Sequence, residues 1–200
     1  LQVGWFANDH IKDLFRKDAD LICPDVMCHF IDGLNQKNKN LILSSSDIFI
    51  SLTDNFQETF GLTPLEGMAA GLPVVVTDWN GYRDTVRNNL DGFTIPTLSL
   101  ESGQSDDLSY YYHSNITNYD QYISYASQRV SVDIKKCIQK ISELIENDEL
   151  REKMSINGKA RVKENYSWKV ILDSYSNLKD HLNDKRNFSN SSKNTFNYIK

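Results

Sequence analysis

The sequence lacks the features that define several broad classes of protein. Among its 200 residues, no apolar run approaches the roughly 20 residues that a membrane-spanning helix needs. No basic segment leads into an apolar run and a small-residue cleavage site, as a signal peptide requires. There are only three cysteines, Cys23, Cys28 and Cys137, and an odd number fits reduced thiols in a cytosol better than a disulfide framework. We therefore expect a cytoplasmic protein.

Positive charge is also scarce, with 22 Lys and Arg against 27 Asp and Glu and a net charge of -5. A nucleic-acid-binding protein needs a basic face, so we expect no nucleic-acid partner. An anionic small molecule is not excluded, because amides at the start of a helix can hold phosphate without net positive charge. Cys23 and Cys28 lack the Cys-x-x-Cys spacing of zinc sites, and no second Cys/His pair complements them, so no metal site is expected.

The apolar content, 40% with 11% aromatic, is enough for a hydrophobic core. The chain begins at Leu1, inside an apolar stretch. We therefore interpret the sequence as a fragment of a longer protein. Its first half alternates predicted strands with predicted helices. The strands are at 28–31, 47–52, 73–77 and 92–95, and the helices at 9–16, 38–45, 64–70 and 82–87. This alternation predicts an α/β fold, a Rossmann-like parallel sheet with helices on both faces that binds ligands at the carboxyl ends of its strands.

The second half of the chain is predicted to be helical. Two sets of apolar residues follow the spacing of a helix face, namely Ile134, Ile138, Ile141 and Ile145, and then Ile171, Tyr175, Leu178 and Leu182. Asp148 and Ser167 have the character of N-caps. From Asn183 the chain becomes polar and rich in Asn, Ser and Lys. We predict one domain over residues 1–182 and a polar, frayed tail over residues 183–200.

A polar, tyrosine-rich segment at about residues 99–128 interrupts this pattern. Its tyrosines are Tyr110, Tyr111, Tyr112, Tyr119, Tyr122 and Tyr125. One interpretation is an irregular excursion that packs back on the domain. The other is an interface, where tyrosine is enriched. Composition favours the first.

The most informative segment is ETFGLTPLEGMAAGLP, which begins at Glu58. Thr63 is a good N-cap residue and Pro64 suits the first position of a helix. Gly71 is a natural residue just past a helix end. The segment therefore predicts a short helix over residues 64–70.

The amino terminus of this helix would follow a strand and so lie at the carboxyl edge of the sheet. Free amides and the positive end of the helix dipole make it a ready anion site, and Gly61 would let a ligand come close to the backbone. Two carboxylates, Glu58 and Glu66, flank this turn. They would repel a phosphate unless they face hydroxyl groups. A nucleoside-diphosphate sugar, with phosphate in the middle and polyols at both ends, has the shape that fits.

These residues resemble the signature of the "glycosyl transferases group 1" family, retaining glycosyltransferases of the GT-B class. Its mark is two glutamates separated by seven residues, here Glu58 and Glu66, with FGL between them and GLPV after them. The resemblance continues through Phe93 and covers most of residues 1–180. It implies that this chain is the C-terminal, donor-binding half of a GT-B fold, with a helical C-terminal region.

The resemblance also implies a role for each matching residue. Glu66 would bond the ribose hydroxyls of the nucleotide, and Glu58 would lie at the donor sugar as a catalytic residue. Amides around Gly61, Leu62 and Thr63 would cradle the diphosphate. The family does not need a metal, so we expect no metal ion and no cofactor besides the nucleotide-sugar substrate.

The implied reaction transfers a sugar from its nucleotide, with retention, to a hydroxyl of a polysaccharide, a lipid-linked glycan or a similar acceptor. An N-terminal domain outside this sequence would hold the acceptor glycan or lipid. Members of the family usually have a basic Arg and Lys pair in the strand region before this chain begins, where the pair neutralises the diphosphate. This sequence offers no replacement for it. We therefore expect the fragment alone to be inactive, and the full-length protein is compatible with peripheral membrane association.

Simpler interpretations remain open. Glu66 stands three residues after Thr63, the spacing of a capping box in which it would bond the Thr63 amide. Glu58, taken alone, is an ordinary surface carboxylate. A second function is a non-catalytic nucleotide-sugar-binding module with a regulatory or scaffolding role. The sequence has neither a Gly-x-Gly-x-x-Gly nor a Gly-Lys-Ser/Thr motif, which argues against a dinucleotide oxidoreductase and a P-loop phosphotransferase.

Overall fold

The structure is a computed structural model that describes residues 1–6 and 8–193, with side chains as far as residue 187. Its strands are β1 (Gln2–Gly4), β2 (Phe30–Asp32), β3 (Phe49–Ser51), β4 (Val74–Thr77), β5 (Gly92–Ile95), β6 (Thr97–Ser99) and β7 (Val130–Val132). Its helices are α1 (Asp9–Ile22), α2 (Gln36–Ser44), α3 (Leu62–Ala70), α4 (Tyr82–Thr85), α5 (Asp106–His113), α6 (Tyr119–Ser127), α7 (Ile134–Glu146), α8 (Asp148–Arg161) and α9 (Trp168–Lys193). A π-helical turn, Val162–Tyr166, follows α8. In the part of the chain described, no helix is long and apolar enough to cross a membrane.

Five strands run parallel to their neighbours, in two sheets. One sheet pairs β1 with β2, and the other has the order β3-β4-β5. The helices α1 to α4 connect these five strands in succession, as parallel crossovers require. The predicted α/β fold with a helical C-terminal region is confirmed. Between the two sheets, β1 and β3 present facing edges to one cavity instead of pairing with each other.

The core is built around β4. Val74, Val75 and Val76 are fully buried. Because side chains alternate across a strand, Val74 and Val76 pack with Met68 of α3 on one face, while Val75 packs with Leu144 of α7 on the other. A strand covered on both faces has no polar side, which explains the unbroken valine run that predicted this strand.

The amino-terminal unit, residues 1–32, contains β1, α1 and β2 and is much less buried. None of these three elements has a buried residue. Phe6 packs against Phe15 and Phe30, with ring centroids 5.4 and 6.0 Å apart. This aromatic cluster and the β1–β2 pairing are therefore the main contacts within the unit.

Helix α7 turns only part of the predicted apolar stripe to the core. Cys137 and Leu144 are buried and Ile141 packs against the core, whereas the exposed residues are Ile134, Ile138 and Ile145. The apolar positions of α7 form two overlapping stripes of helical spacing, and periodicity alone does not choose between them. Burial raises the pKa of the Cys137 thiol, which fits a residue of the core.

The last two helices also differ from their predicted limits. The N-cap of α8 is Asn147, whose side chain accepts a hydrogen bond from the Leu150 amide at 2.9 Å, so the cap predicted at Asp148 is wrong by one residue. Ser167 precedes the first residue of α9. The polar stretch predicted as a tail from Asn183 forms the last turns of α9 as far as Lys193. Residues 194–200 lie outside the described part of the chain.

The tyrosine-rich excursion, residues 99–128, contains α5 and α6 and is closed by the antiparallel strands β6 and β7. Tyr112 stacks on Tyr122 with centroids 5.3 Å apart, and Tyr122 meets Phe56 edge-on at 5.8 Å. The Arg129 guanidinium bonds the Asp107 carboxyl at 2.6 Å and holds its pKa below the usual range. The excursion thus packs back on the loop after β3, although as two regular helices and not as irregular chain.

Candidate functional site

The candidate site is a cavity of about 480 Å³ that runs along β1 and β3, from Leu1 and Ile48 at their amino ends to Gly4 and Ser51 at their carboxyl ends. Its mouth, at the carboxyl ends, is formed by the last residues of β1 and β3, by the residues that follow β1 and β2, and by α2 and α3. These lining residues are Gly4, Trp5, Gly33, Leu34, Lys39, Ser51, Thr63 and Glu66. Its inner wall is formed by the facing edges of β1 and β3. A parallel α/β sheet places its ligand at the carboxyl edge, so the mouth of the cavity is where the fold favours binding.

Helix α3 begins two residues earlier than predicted. Gly61 is the N-cap, in the left-handed region at φ 85°, and Leu62 is the first helical residue. Thr63 therefore lies inside the helix, and the N-cap predicted for it is wrong. No side chain in the described residues caps this helix start. Its first amides are consequently available to a ligand, as the anion-site prediction requires.

Gly61 is required by the fold itself. A Cβ at this position would overlap the ring of Tyr82, the first residue of α4. Its positive φ is also a conformation that side chains disfavour. The open side expected for a ligand is thus occupied by an aromatic ring, and Gly61 sets the direction in which α3 begins.

The Tyr82 hydroxyl joins a group of hydroxyls below the start of α3. It shares hydrogen bonds with Ser51 at 2.9 Å, Thr53 at 3.3 Å and Thr63 at 3.4 Å. Ser51 ends β3, and Thr63 belongs to α3. The network therefore connects α4 to the end of β3 and to the first turn of α3. It fixes the position of the backbone amides at the start of α3.

Glu66 forms an ion pair that sequence reasoning missed. Its Oε1 lies 2.5 Å from the Nζ of Lys39 on α2, a residue 27 positions away. The Glu66 side chain is 38% exposed and lines the cavity. The capping box with Thr63 is not formed, because Gly61 caps the helix. Lys39 stands in the helix predicted over residues 38–45, but no local signal indicates its partner.

Glu58 lies in the loop after β3, half-buried, and the loop after β4 holds it in place. The indole of Trp79 donates to the Asn55 carbonyl at 3.0 Å, and the Asn80 amide donates to the Phe56 carbonyl at 3.1 Å. A Cβ at Gly81 would overlap the backbone of Phe60, so the two loops are in close contact. The motif residues after β4 therefore act as a support for the Glu58 loop.

The structure brings only part of the predicted site to one surface. Thr63 and Glu66 line the cavity, together with Lys39. Glu58, Gly61 and Leu62 do not line it, although Gly61 and Leu62 form the adjacent helix start. Among the residues described, no three His, Cys, Asp or Glu side chains are grouped as metal ligands.

A further carboxylate of the motif region, Asp91, is structural. Asp91 is fully buried between Arg87, at 2.6 Å, and Arg161 of α8, at 3.6 Å. The bond to Asp91 raises the pKa of Arg87. Arg161 also donates to the Thr85 carbonyl at 2.8 Å. This cluster joins the turn before β5 to α8 and lies outside the cavity.

The fold is that of a Rossmann-like α/β domain, with a cavity that reaches the edge where such folds place a ligand. A family model described as "Glycosyl transferases group 1" matches residues 12–130, more than half of the chain. The chain therefore belongs to the glycosyl transferases group 1 family.

Individual proteins of known name or structure are similar over parts of the chain. The alpha-1,3/1,6-mannosyltransferase ALG2 of Rhizomucor pusillus is 30% identical over 73 residues, which are 36% of this chain and 16% of ALG2. HepE of Anabaena, in complex with UDP, aligns with a TM-score of 0.56 at 18% identity over 89% of this chain and 40% of HepE. The C-terminal domain of LpcC, a glycosyl transferase group 1 family protein of Francisella tularensis, aligns with a TM-score of 0.51 at 20% identity, covering 80% of this chain and 64% of that one. The structural likenesses show a GT-B glycosyltransferase fold, and the chain spans about a sixth of the length of the curated relatives it matches.

Proposed function

We propose that this chain is the donor-binding, C-terminal domain of a retaining glycosyltransferase. The observation that carries the proposal is the position of Glu66, a carboxylate on the wall of a cavity beside the start of α3, whose first amides no side chain of the described residues caps. Amides that attract phosphate and a carboxylate that accepts from hydroxyls are thus adjacent. A nucleoside-diphosphate sugar presents those groups side by side. The likeness to the LpcC C-terminal domain supports the assignment to that half of the fold.

In the proposed complex the diphosphate lies at the start of α3. The amides of Leu62 and Thr63 donate to its oxygens, and the positive end of the helix dipole favours its charge. Glu66 accepts hydrogen bonds from the ribose hydroxyls, because a carboxylate is an acceptor only. HepE was solved with UDP, and ALG2 is named a mannosyltransferase, which supports a nucleotide and a sugar as the groups of the proposed ligand.

Glu58 is the residue that we propose to orient the donor sugar. As the sugar leaves, negative charge develops on the diphosphate, and the amides of α3 stabilise it. An acceptor hydroxyl that attacks from the face of the leaving diphosphate, with a phosphate oxygen as base, gives retention. We propose that an N-terminal domain holds this acceptor, a polysaccharide or a lipid-linked glycan. Without that domain the acceptor is not held against the donor, so we expect no sugar transfer by these 200 residues alone.

The remaining expectations are proposals of the same kind. We propose that the reaction needs no metal ion or cofactor, since the amides at the start of α3 stabilise the negative charge of the diphosphate that a cation would otherwise neutralise. We also propose a cytoplasmic location, with peripheral membrane association where the acceptor is lipid-linked. The three free thiols, two of them exposed, support a reducing compartment.

One observation favours the alternative, a non-catalytic nucleotide-sugar-binding module. Glu66 and Thr63 line the cavity, whereas Glu58 does not. A protein that keeps the nucleotide contacts but has no carboxylate positioned at the donor sugar would bind the donor without transferring its sugar. Turnover separates the two functions.

The test uses the full-length protein with UDP-, GDP- and ADP-sugars and a panel of glycan and lipid-linked acceptors. We expect transfer with an unchanged anomeric configuration, read by nuclear magnetic resonance of the product. Glu58→Gln should lower kcat about a hundredfold, the usual cost of a misplaced reactant. Glu149→Gln, an exposed residue of α8, is the control and should leave kcat unchanged. Nucleotide binding without turnover would establish the non-catalytic module, and an inverted product would contradict retention.

A further inference from the structure

The ion pair between Lys39 and Glu66 joins α2 to α3 at the mouth of the cavity. The Lys39 Nζ lies 2.5 Å from the Glu66 Oε1, and the two side chains are 29% and 38% exposed. Both residues line the cavity. The pair is therefore neither a fully solvated surface contact nor a buried one, and it stands where a ligand would meet it.

The geometry leaves part of the carboxylate free. A carboxylate has two oxygens with about four acceptor sites, and Lys39 contacts Oε1. The contact restricts rotation of the long Glu66 side chain while Oε2 remains able to accept from a ligand hydroxyl. A side chain that has already lost its rotamer freedom loses less on binding, so a fixed carboxylate binds a diol more tightly than a mobile one.

Stability gives a weaker reason for this pair. Half-exposed ion pairs add little to folding. Helix α2 is anchored independently by Ile42, its buried residue, one turn after Lys39. The start of α2 is also fixed without the pair, because the Asn35 side chain caps it by accepting from the Lys37 amide.

We propose that Lys39 is a positioning residue for nucleotide binding, which holds the Glu66 carboxylate in the orientation that receives the ribose hydroxyls. The inference rests on the proposed role of Glu66. Lys39 acts through Glu66 and does not itself contact the diphosphate. Its effect on affinity is therefore confined to ligands that carry the ribose hydroxyls.

The experiment measures calorimetric affinities of the full-length protein for UDP, GDP and ADP and for their 2′,3′-dideoxy counterparts. The variants are Lys39→Met, which keeps the length of the stem without charge, and Lys39→Arg, which keeps a cation. Lys37→Met, on an exposed part of the same helix, is the matched control. Thermal unfolding of each variant gives the structural readout.

Lys39→Met should weaken binding of the preferred nucleotide about fivefold and leave its dideoxy counterpart unaffected. Lys39→Arg should recover most of the loss, and Lys37→Met should match the wild type. An equal loss for both ligands would place Lys39 on the phosphate, and no loss would give it no part in binding. Either result overturns the inference while the proposed function stands. A wild-type protein that does not prefer the ribonucleotide would instead overturn the role of Glu66, and this inference with it.

Discussion

The two parallel sheets have the same local architecture and very different burial. In the β3-β4-β5 sheet, Val74, Val75 and Val76 are inaccessible to solvent, with helices on both faces. In the amino-terminal unit no strand or helix residue is buried, and Leu14 and Phe15 of α1 are 41% and 52% exposed. Apolar burial is the main favourable term in folding, so the stability of this chain comes chiefly from the second sheet.

The candidate site uses both regions. Thr63 and Glu66 come from α3, which packs on the buried sheet, while Gly4 ends β1 of the weakly buried unit and Gly33 directly follows β2. A ligand in this cavity would contact a firmly held wall and a loosely held one. We infer that binding stabilises the amino-terminal unit more than the core, because local opening is easiest where few apolar contacts hold the chain.

The largest difference in stability between the two regions is expected when one glycine in each is replaced by valine. At Gly92 in β5, a Cβ would overlap the backbone of Val74, whereas at Gly4 in β1 it would meet nothing within 4 Å. Gly92→Val should reduce the free energy of unfolding by more than about 4 kcal/mol, and Gly4→Val should change it by less than about 0.5 kcal/mol. Urea titration followed by circular dichroism measures both. Similar losses at the two positions would mean that both sheets are equally close-packed.

Removal of a leucine from each region should give the next largest effect. Leu144→Ala would leave a cavity against Val75 and cost about 2–5 kcal/mol. Leu14→Ala, at a position that is 41% exposed, should cost less than about 1 kcal/mol. The same titration measures both variants. A loss of unfolding free energy in Leu14→Ala as large as that in Leu144→Ala would contradict the weak burial of α1.

The smallest effect concerns the excursion, which is tied down by an exposed ion pair. Arg129 lowers the pKa of Asp107, so the stabilisation is present above the usual Asp pKa of about 3.9 and is lost as pH falls through the lower folded value. The wild type should therefore melt slightly higher than Asp107→Asn at pH 7, and the difference in melting temperature should begin to shrink only below about pH 4 and vanish at more acid pH. Melting curves followed by circular dichroism test this. A difference that grows towards acid pH would contradict the pairing.

Local patterns predicted the elements better than their exact contacts. The valine run at residues 74–76 indicated a doubly covered strand, and the segment around Pro64 indicated the helix that carries the site. The start of α3 was placed two residues late, because a glycine in the left-handed region replaced the favoured Thr63 cap. The contacts of Gly61 with Tyr82 and of Glu66 with Lys39 join residues far apart in sequence, and only the tertiary fold determines them.

The central claim is that the cavity beside α3 receives a nucleotide through Glu66. The most direct measurement is calorimetric titration of the full-length protein and its Glu66→Gln variant with UDP, GDP and ADP. Glu143→Gln, which breaks another half-exposed lysine pair on α7, is the matched control. Loss of a charged acceptor for the ribose hydroxyls should weaken the preferred nucleotide about ten- to a hundredfold, with the control unchanged. Wild-type affinity in Glu66→Gln would contradict the account, because the carboxylate on this wall would then have no part in binding.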